Sequence, residues 1–136
     1  APLALDADAI AHLRPKGLSP SRQRQAIAEF FRRVGMPFDY YFDLETTACT
    51  FCTELVNMVL PEMRLPQRSV YGRRLILPDE VVAATLSGRS GFAFLRYVSA
   101  DRDHWQVRGR QAVAADLRAA WPAPQRPPHV ASMAGR

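Results

Sequence analysis

Residues 35–60 read GMPFDYYFDLETTACTFCTELVNMVL, and this stretch carries our interpretation of the fold. Its first part, from Phe38 to Leu44, alternates apolar with polar residues, a period of two that is typical of an extended segment with one buried face. Its second part changes to helical spacing and ends at Pro61. The residues placed on one helical face are Cys52, Leu55, Val56, Val59 and Leu60. We therefore predict an extended segment followed by a short buried helix that carries Cys52 in its first turn.

The elements on the N-terminal side follow from similar patterns. Residues 1–13 predict the end of an earlier element and a short strand. A helix is expected next, with Ser19 as N-cap, Pro20 at the first helical position and Gly35 as the stop. The apolar positions expected to face the core are Ile27, Phe30, Phe31 and Val34.

The C-terminal side alternates strands and helices. A loop over 64–74 precedes a strand at 75–77, and Pro78 opens a helix that runs to about Leu86 with acidic residues in its first turn. Residues 92–98 predict a strand with a hairpin partner in 103–109. The last helix is expected from Arg110 to Trp121. Together these elements predict an α+β fold.

The composition is that of one ordinary globular domain. The chain has 136 residues, of which 48% are hydrophobic and 23% charged. No stretch approaches the roughly 18–20 apolar residues that a membrane-spanning helix needs, so we expect no integral membrane segment. We assign residues 1–121 to the domain and 122–136, rich in proline and without apolar periodicity, to a disordered tail. The chain begins at Ala1 and not at Met, which suggests a processed protein or part of a longer one.

The net charge of +5 does not predict a nucleic-acid partner. Seventeen of the eighteen basic residues are Arg and only Lys16 is Lys, a bias more typical of genome composition than of phosphate binding. Residues 1–60 carry a net charge of −1 and residues 61–136 a net charge of +6, as scattered arginines. We interpret this surplus as a solvated basic face.

The only cysteines are Cys49 and Cys52. A disulfide across three positions would constrain little of the unfolded chain, and a redox C-x-x-C motif normally lies in a βαβ unit that is not predicted here. Zinc bound by Cys49, Cys52 and His104 would lack a fourth ligand with suitable spacing. We expect neither a metal nor an organic cofactor.

Cys52 is the candidate catalytic residue. A thiol in the first turn of a helix lies near unpaired backbone N–H groups, which stabilise the thiolate and also an oxyanion formed when it attacks a carbonyl. Thr53 and Glu54 belong to the same helix start and are the candidate oxyanion residues. The alternatives are that Cys52 only fills the core and that Glu54 only satisfies the helix terminus. Cys49, in the preceding loop, is expected to be structural.

These motifs resemble the permuted papain-like amidase family, the YiiX-type relatives of the NlpC cell-wall peptidases. The resemblance covers about residues 10–87 and leaves 88–121 as a C-terminal extension. The matching segments are the Gly35–Pro37 turn, the aromatic-aspartate pairs Phe38-Asp39-Tyr40 and Phe42-Asp43, the motif Cys52-Thr53-Glu54-Leu55-Val56, and Pro78-Asp79.

The resemblance implies a circularly permuted papain-like (NlpC-type) α+β fold with Cys52 as nucleophile. It implies an amide, thioester or ester of a small molecule, lipid or peptide as substrate. Relatives often act at the bacterial cell envelope or periplasm, and a cytoplasmic site stays open. In this family the catalytic histidine lies N-terminal to the cysteine, near Gly-Asp-Ile-like and His-x-Gly-Ile-like segments that this chain lacks. His12 is not in such a motif.

Three interpretations of the missing base therefore stay open. An N-terminal segment or a partner chain supplies the histidine, or His104 serves, in the unpermuted order of cysteine before histidine. The third is a catalytically inactive papain-like binding or interaction module. His129, in the predicted tail, is set aside.

Overall fold

The computed structural model describes residues 9–42, 44–45, 48–101 and 104–120. Within these ranges the chain forms four α-helices and two small sheets, an α+β arrangement. In chain order the elements are β1 (Ala9–Pro15), α1 (Pro20–Arg32), α2 (Cys52–Val59), a 3-10 helix (Pro61–Met63), β2 (Arg68–Val70), β3 (Arg73–Leu75), α3 (Pro78–Leu86), β4 (Phe92–Asp101), β5 (His104–Arg108) and α4 (Arg110–Ala120). The first residues of the predicted domain (1–8) and the predicted tail (122–136, with His129) lie outside the described residues, as do Asp43 and Trp121.

The larger sheet is antiparallel, with strand order β1-β4-β5. Ile10 of β1 lies opposite Val98 of β4, which in turn lies opposite Val107 of β5. The register of β1 shifts between His12 and Leu13. Helices α3 and α4 pack against β4. The predicted hairpin is confirmed, with β4 extending three residues beyond its predicted end.

The smaller sheet is a hairpin that we did not predict. In it β2 pairs antiparallel with β3, with Arg68 opposite Leu75 and Val70 opposite Arg73. Tyr71 and Gly72 form the turn with φ of +50° and +80°, the left-handed geometry that two-residue hairpins require. The prediction of a loop over 64–74 and a strand at 75–77 is wrong in position. Polar residues dominate both short strands, so the hairpin lacks the apolar alternation by which strands are recognised.

Helix α1 begins as predicted and presents a different face. The Ser19 hydroxyl accepts the Arg22 N–H at 3.2 Å, and the helix ends at Arg32, three residues before Gly35. The residues predicted to face the core are mostly exposed: Ile27 is 55%, Phe31 73% and Val34 76% exposed.

The reason for this orientation is a polar contact on the inward face of α1. Arg22 donates to the Val59 carbonyl at the end of α2, and its Nε lies 2.7 Å from Glu62. This clamp turns Ala26 into the core and leaves Phe30 half-buried.

The core lies where α2, the 3-10 helix and the start of β4 meet. Its members are Ala26, Val59, Leu60, Met63, Leu65, Ile76, Val81 and Phe92. Gly91 approaches the 3-10 helix so closely that an added Cβ would lie 2.8 Å from the Cα of Met63. In the part of the chain that is described, none of the helices has the length and apolar character needed to cross a membrane.

The predicted extended segment from Phe38 to Leu44 is the largest departure from the sequence-based expectation. Of the described residues in this segment, only Phe38 makes a strand-like bridge, to Thr50, and Tyr40 and Tyr41 form a turn. Phe42 has a φ of +53°, which ends any extended run. Asp39 is 1% exposed, whereas Tyr40 is 79% exposed. The expected alternation of burial is therefore not observed. Tyr41, on the same predicted side as Asp39, is 74% exposed, and Asp39 is held in its buried position by hydrogen bonds.

Candidate active site

Cys52 is the first residue of α2, and its side chain is exposed. The predicted helix is confirmed, and Cys52 occupies its predicted place. The helix as a whole is only partly buried, since Val59 and Glu54 are buried while Leu55 and Val56 are partly so. Cys52 is therefore placed at the surface, where a second molecule can reach its sulfur. The alternative that it fills the core is excluded.

The start of α2 is defined by the residue before Cys52. Phe51 is buried and extended, with φ −116° and ψ 167°. Its N–H donates to the Glu54 carboxylate at 3.3 Å, and its carbonyl accepts the Leu55 N–H at 2.9 Å. The N–H groups of residues 52, 53 and 54 have no acceptor within the helix, as in any first turn. They are the donors available to an anion at this terminus.

The side chains of Thr53 and Glu54 have structural partners. The Thr53 hydroxyl donates to the Ile76 carbonyl at 2.7 Å and so ties α2 to the segment before α3. Glu54 is buried and caps the helix through Phe51. Thr53 and Glu54 can therefore bind an oxyanion only through their backbone N–H groups. Their side chains instead hold the start of α2 in place.

Cys52 opens into a cavity of about 460 Å³ with mostly apolar walls. Three segments contribute to it beside the start of α2. They are the aromatic turn with Tyr41 and Phe42, the hairpin with Val70, Tyr71, Arg73 and Leu75, and the stretch Ile76, Leu77 and Pro78. The Leu44 N–H donates to the Arg74 carbonyl at 3.2 Å and so joins the first two of these walls. This volume lies within the roughly 300–1,000 Å³ of typical small-molecule sites.

The aromatic turn is anchored by Asp39. Its carboxylate accepts the Tyr41 N–H at 2.8 Å, and its backbone N–H donates to the Thr50 carbonyl at 3.0 Å. Edge-to-face contacts between aromatic rings also hold this turn. The ring centres of Phe38 and Phe42 lie 5.8 Å apart, and those of Phe42 and Phe51 lie 5.5 Å apart. The wall of the cavity is thereby coupled to the residue that precedes Cys52.

Cys49 has a different environment from Cys52. Burial raises the pKa of the Cys49 thiol, and the negative charges of Asp39 and Glu54 raise that pKa further. Both cysteines are free thiols. Cys49 is therefore held in its protonated form near neutral pH, which suits the structural role predicted for it.

Neither described histidine lies in the cavity. His12 is on β1, opposite Arg96, and His104 begins β5, and both are exposed. The residues that line the described cavity include no histidine and no carboxylate. His104 as the general base therefore finds no geometric support. Among the described residues, no three His, Cys, Asp or Glu side chains come together as metal ligands.

Sequence reasoning missed the hairpin side of the cavity. Tyr71 and Arg73 line it, and the Arg73 guanidinium lies 5.5 Å from the centre of the Tyr41 ring. The Tyr71-Gly72 pair between two short polar runs was the available signal for a hairpin turn, since glycine tolerates positive φ.

The chain matches no protein-family model, no curated protein and no solved structure in the three comparisons made.

Proposed function

We propose that the protein is a cysteine hydrolase or acyltransferase of the permuted papain-like class, with Cys52 as nucleophile. The observation that carries the proposal is the exposed Cys52 side chain at the first position of an eight-residue helix, opening into an apolar cavity. A cysteine that only fills the core would be buried, whereas Cys52 is exposed. Its place in the wall of a cavity is what a nucleophile requires, because the substrate must bind beside the sulfur. The sequence motif around Cys52 supports the same class.

The chemistry follows from the position of Cys52. Its thiolate attacks the carbonyl carbon of an amide, thioester or ester, and the carbonyl oxygen becomes an oxyanion. The N–H groups at the start of α2 are the donors for that oxyanion. Collapse of the intermediate breaks the bond to the amine, thiol or alcohol, which leaves with a proton. The resulting thioester on Cys52 is then cleaved by water or passed to an acceptor.

The general base is assigned by resemblance to a histidine N-terminal to the matched segment, from a further segment or a partner chain. No described residue of the cavity wall takes this role. The test is therefore designed to measure the nucleophile itself, without relying on turnover. Alkylation by iodoacetamide depends on the thiolate and on access to it.

We expect Cys52 to be alkylated well before Cys49 at pH 7, because Cys52 is exposed at a helix start and the pKa of Cys49 is raised. Limiting iodoacetamide and peptide mass spectrometry measure both rates in one sample. Cys49→Ser and Cys52→Ser variants assign the sites, and a short cysteine peptide gives the unactivated rate. If Cys52 reacts no faster than the peptide, the activated-nucleophile proposal fails.

One observation favours a second candidate, a binding module without catalytic activity. It is the lack of a histidine or carboxylate among the described residues that line the cavity. An activated acyl ester such as p-nitrophenyl octanoate separates the two candidates. A mass increase by one octanoyl group on Cys52, absent in Cys52→Ser, supports the enzyme. Reversible binding without such an adduct supports the module.

A further inference from the structure

We infer that the Cys52 cavity takes an amphipathic anion, an acyl chain that carries a negatively charged group near the bond attacked. This inference names the substrate class of the proposed function and rests on it. The aromatic walls bind the chain, and the guanidinium of Arg73 binds the anionic group.

The apolar part of the inference rests on aromatic rings that are left exposed around the cavity. Tyr41 and Phe42 on one wall and Tyr71 on the other all have large exposed fractions, and Tyr71 is fully exposed at the tip of the hairpin. Contiguous exposed apolar surface of this kind marks binding sites more often than scattered single residues do. Rings facing a concave space can bury an alkyl chain on both of its sides.

The charged part of the inference rests on Arg73. It is the one charged residue that lines the described cavity. Its neighbours in the hairpin are already paired, since Arg68 contacts Glu80 at 2.6 Å and Arg74 contacts Glu45 at 3.6 Å. Arg73, in contrast, contacts the Tyr41 ring and carbonyl and forms no ion pair with any described carboxylate. A guanidinium held beside an aromatic wall can bind a carboxylate or phosphate through two parallel hydrogen bonds.

Cys52 and Arg73 line the same cavity, and this gives the ligand its orientation. The chain lies along the rings, its carbonyl reaches the start of α2, and its anionic group reaches the hairpin. No described residue of the cavity wall opposes an anion with a negative charge. The positive charge of Arg73 and the apolar wall of the cavity thus both favour an amphipathic anion.

Binding of decanoate to the Cys52→Ala variant tests the inference without any covalent step. Isothermal titration calorimetry compares three probes: decanoate, 1-decanol, which lacks the charge, and acetate, which lacks the chain. We expect decanoate to bind, decanol to bind about tenfold more weakly, and acetate not to bind measurably, because decanol lacks the negative charge that strengthens the hydrogen bonds of a guanidinium. Equal binding of decanoate and decanol, or no binding of either, overturns the inference.

Matched arginine variants locate the anion site. Arg73→Gln should weaken decanoate binding about tenfold and leave decanol unchanged, whereas Arg74→Gln on the same strand should change neither by more than about twofold. Arg73→Lys keeps the charge and should retain part of the affinity. Unchanged decanol binding by Arg73→Gln shows that its loss of decanoate binding is not a folding defect. An equal effect of Arg73→Gln and Arg74→Gln would contradict the assignment.

A lipid bilayer with anionic headgroups also presents acyl chains together with negative charge. Co-sedimentation with phosphatidylglycerol vesicles, in parallel with monomeric decanoate, separates the two. Binding to vesicles without binding of decanoate would replace the cavity ligand with a membrane surface and overturn the inference. Because these measurements use Cys52→Ala, their failure leaves the alkylation result and the proposed nucleophile unaffected.

Discussion

At the scale of single residues, Asp39 decides the conformation beside the candidate nucleophile. It is almost completely buried, holds the Tyr41 N–H, and bridges to Thr50 two residues before Cys52. Its charge also contributes to the raised pKa of Cys49. One carboxylate thus shapes the aromatic turn and, after burial, contributes to the raised pKa of the Cys49 thiol.

We expect Asp39→Asn to shift the alkylation profile of Cys49 to lower pH. The amide oxygen can still accept the Tyr41 N–H, but the negative charge that raises the pKa of Cys49 is gone, so the thiolate fraction at a given pH increases. The profile should stay above that of a free thiol, because burial is the largest cause of the raised pKa. Iodoacetamide rates between pH 7 and 10, in a Cys52→Ala background, measure the shift.

Asp116→Asn is the control for this experiment, since Asp116 lies with Tyr97 and Arg108 and is not among the charges that act on Cys49. It should leave the Cys49 profile unchanged. An Asp39→Asn profile that does not move, or that moves to higher pH, contradicts the electrostatic account.

At the scale of elements, the contact between the 3-10 helix and the start of β4 determines how closely these two elements pack in the core. Gly91 donates its N–H to the Met63 carbonyl at 2.8 Å, and its own carbonyl accepts the Lys16 N–H at 2.8 Å. Gly91 therefore joins β1, β4 and the 3-10 helix at one point. Only a residue without a side chain allows that approach.

We expect Gly91→Ala to destabilise the fold by about 1–3 kcal/mol, because the new Cβ would lie 2.8 Å from the Met63 Cα and 3.2 Å from the Glu62 carbonyl oxygen. Gly109→Ala is the matched control, since a Cβ there meets nothing within 4 Å and φ is not positive. It should cost less than about 1 kcal/mol, because Ala replaces Gly at the N-cap of α4 but also restricts the unfolded chain. Urea unfolding followed by circular dichroism compares them, and equal effects would contradict the close approach.

At the scale of the whole molecule, a polar cluster attaches the C-terminal helix to the larger sheet. The Tyr97 hydroxyl of β4 donates to Asp116 of α4 at 2.9 Å, and Arg108 of β5 donates to the same carboxylate at 3.0 Å. Burial raises the pKa of Tyr97, and Asp116 raises it further. The protonated Tyr97 hydroxyl therefore contributes to the attachment of α4, together with Arg108 and the buried Val113.

We expect this cluster to lose its stabilising effect at alkaline pH. The pKa of Tyr97 is above its ordinary value of 10.0 in the folded state, so the folded protein holds the proton more tightly than the unfolded chain does. The stabilisation is complete below about pH 10 and is lost as pH rises through the folded pKa. Tyr97→Phe should cost about 1 kcal/mol at pH 7.

Urea unfolding of wild type and Tyr97→Phe at pH 7, 9 and 10.5 tests this linkage. The difference in free energy of unfolding between the two proteins should be constant at pH 7 and 9 and smaller at pH 10.5. Using the difference removes the contributions of the other groups that titrate at high pH. A difference that grows with pH would contradict the direction of the shift.

The helix starts were predictable because their signals are local. Ser19 with Pro20, and Pro78 with its acidic neighbours, specify helix starts through backbone chemistry within a few residues. The position of Cys52 at the start of α2 belongs to the same kind of signal, as does the hairpin of β4 and β5.

The faces that these elements present were not predictable in the same way. Ile27, Phe31 and Val34 have helical spacing and would normally be buried, yet the Arg22 contact with Val59 and Glu62 turns α1 differently. In the Phe38–Leu44 segment the residues alternate in the sequence, but the chain turns at Tyr40 and Tyr41. Hydrogen bonds bury Asp39, while Tyr41 on the same predicted side stays exposed. The orientation of α1 depends on partners 37 and 40 residues away, whereas Asp39 bonds to Tyr41 and Thr50, which lie nearby in the sequence.

The sequence by itself determined where the helices start, the α+β mixture and the place of Cys52 at a helix terminus, since these follow from short-range capping and periodicity. Only the tertiary structure decided that Cys52 is exposed and that Tyr41, Phe42 and Arg73 line the cavity into which it opens. The physical reason is that burial and proximity are set by contacts between segments some ten to forty residues apart. A local sequence pattern therefore cannot predict those contacts.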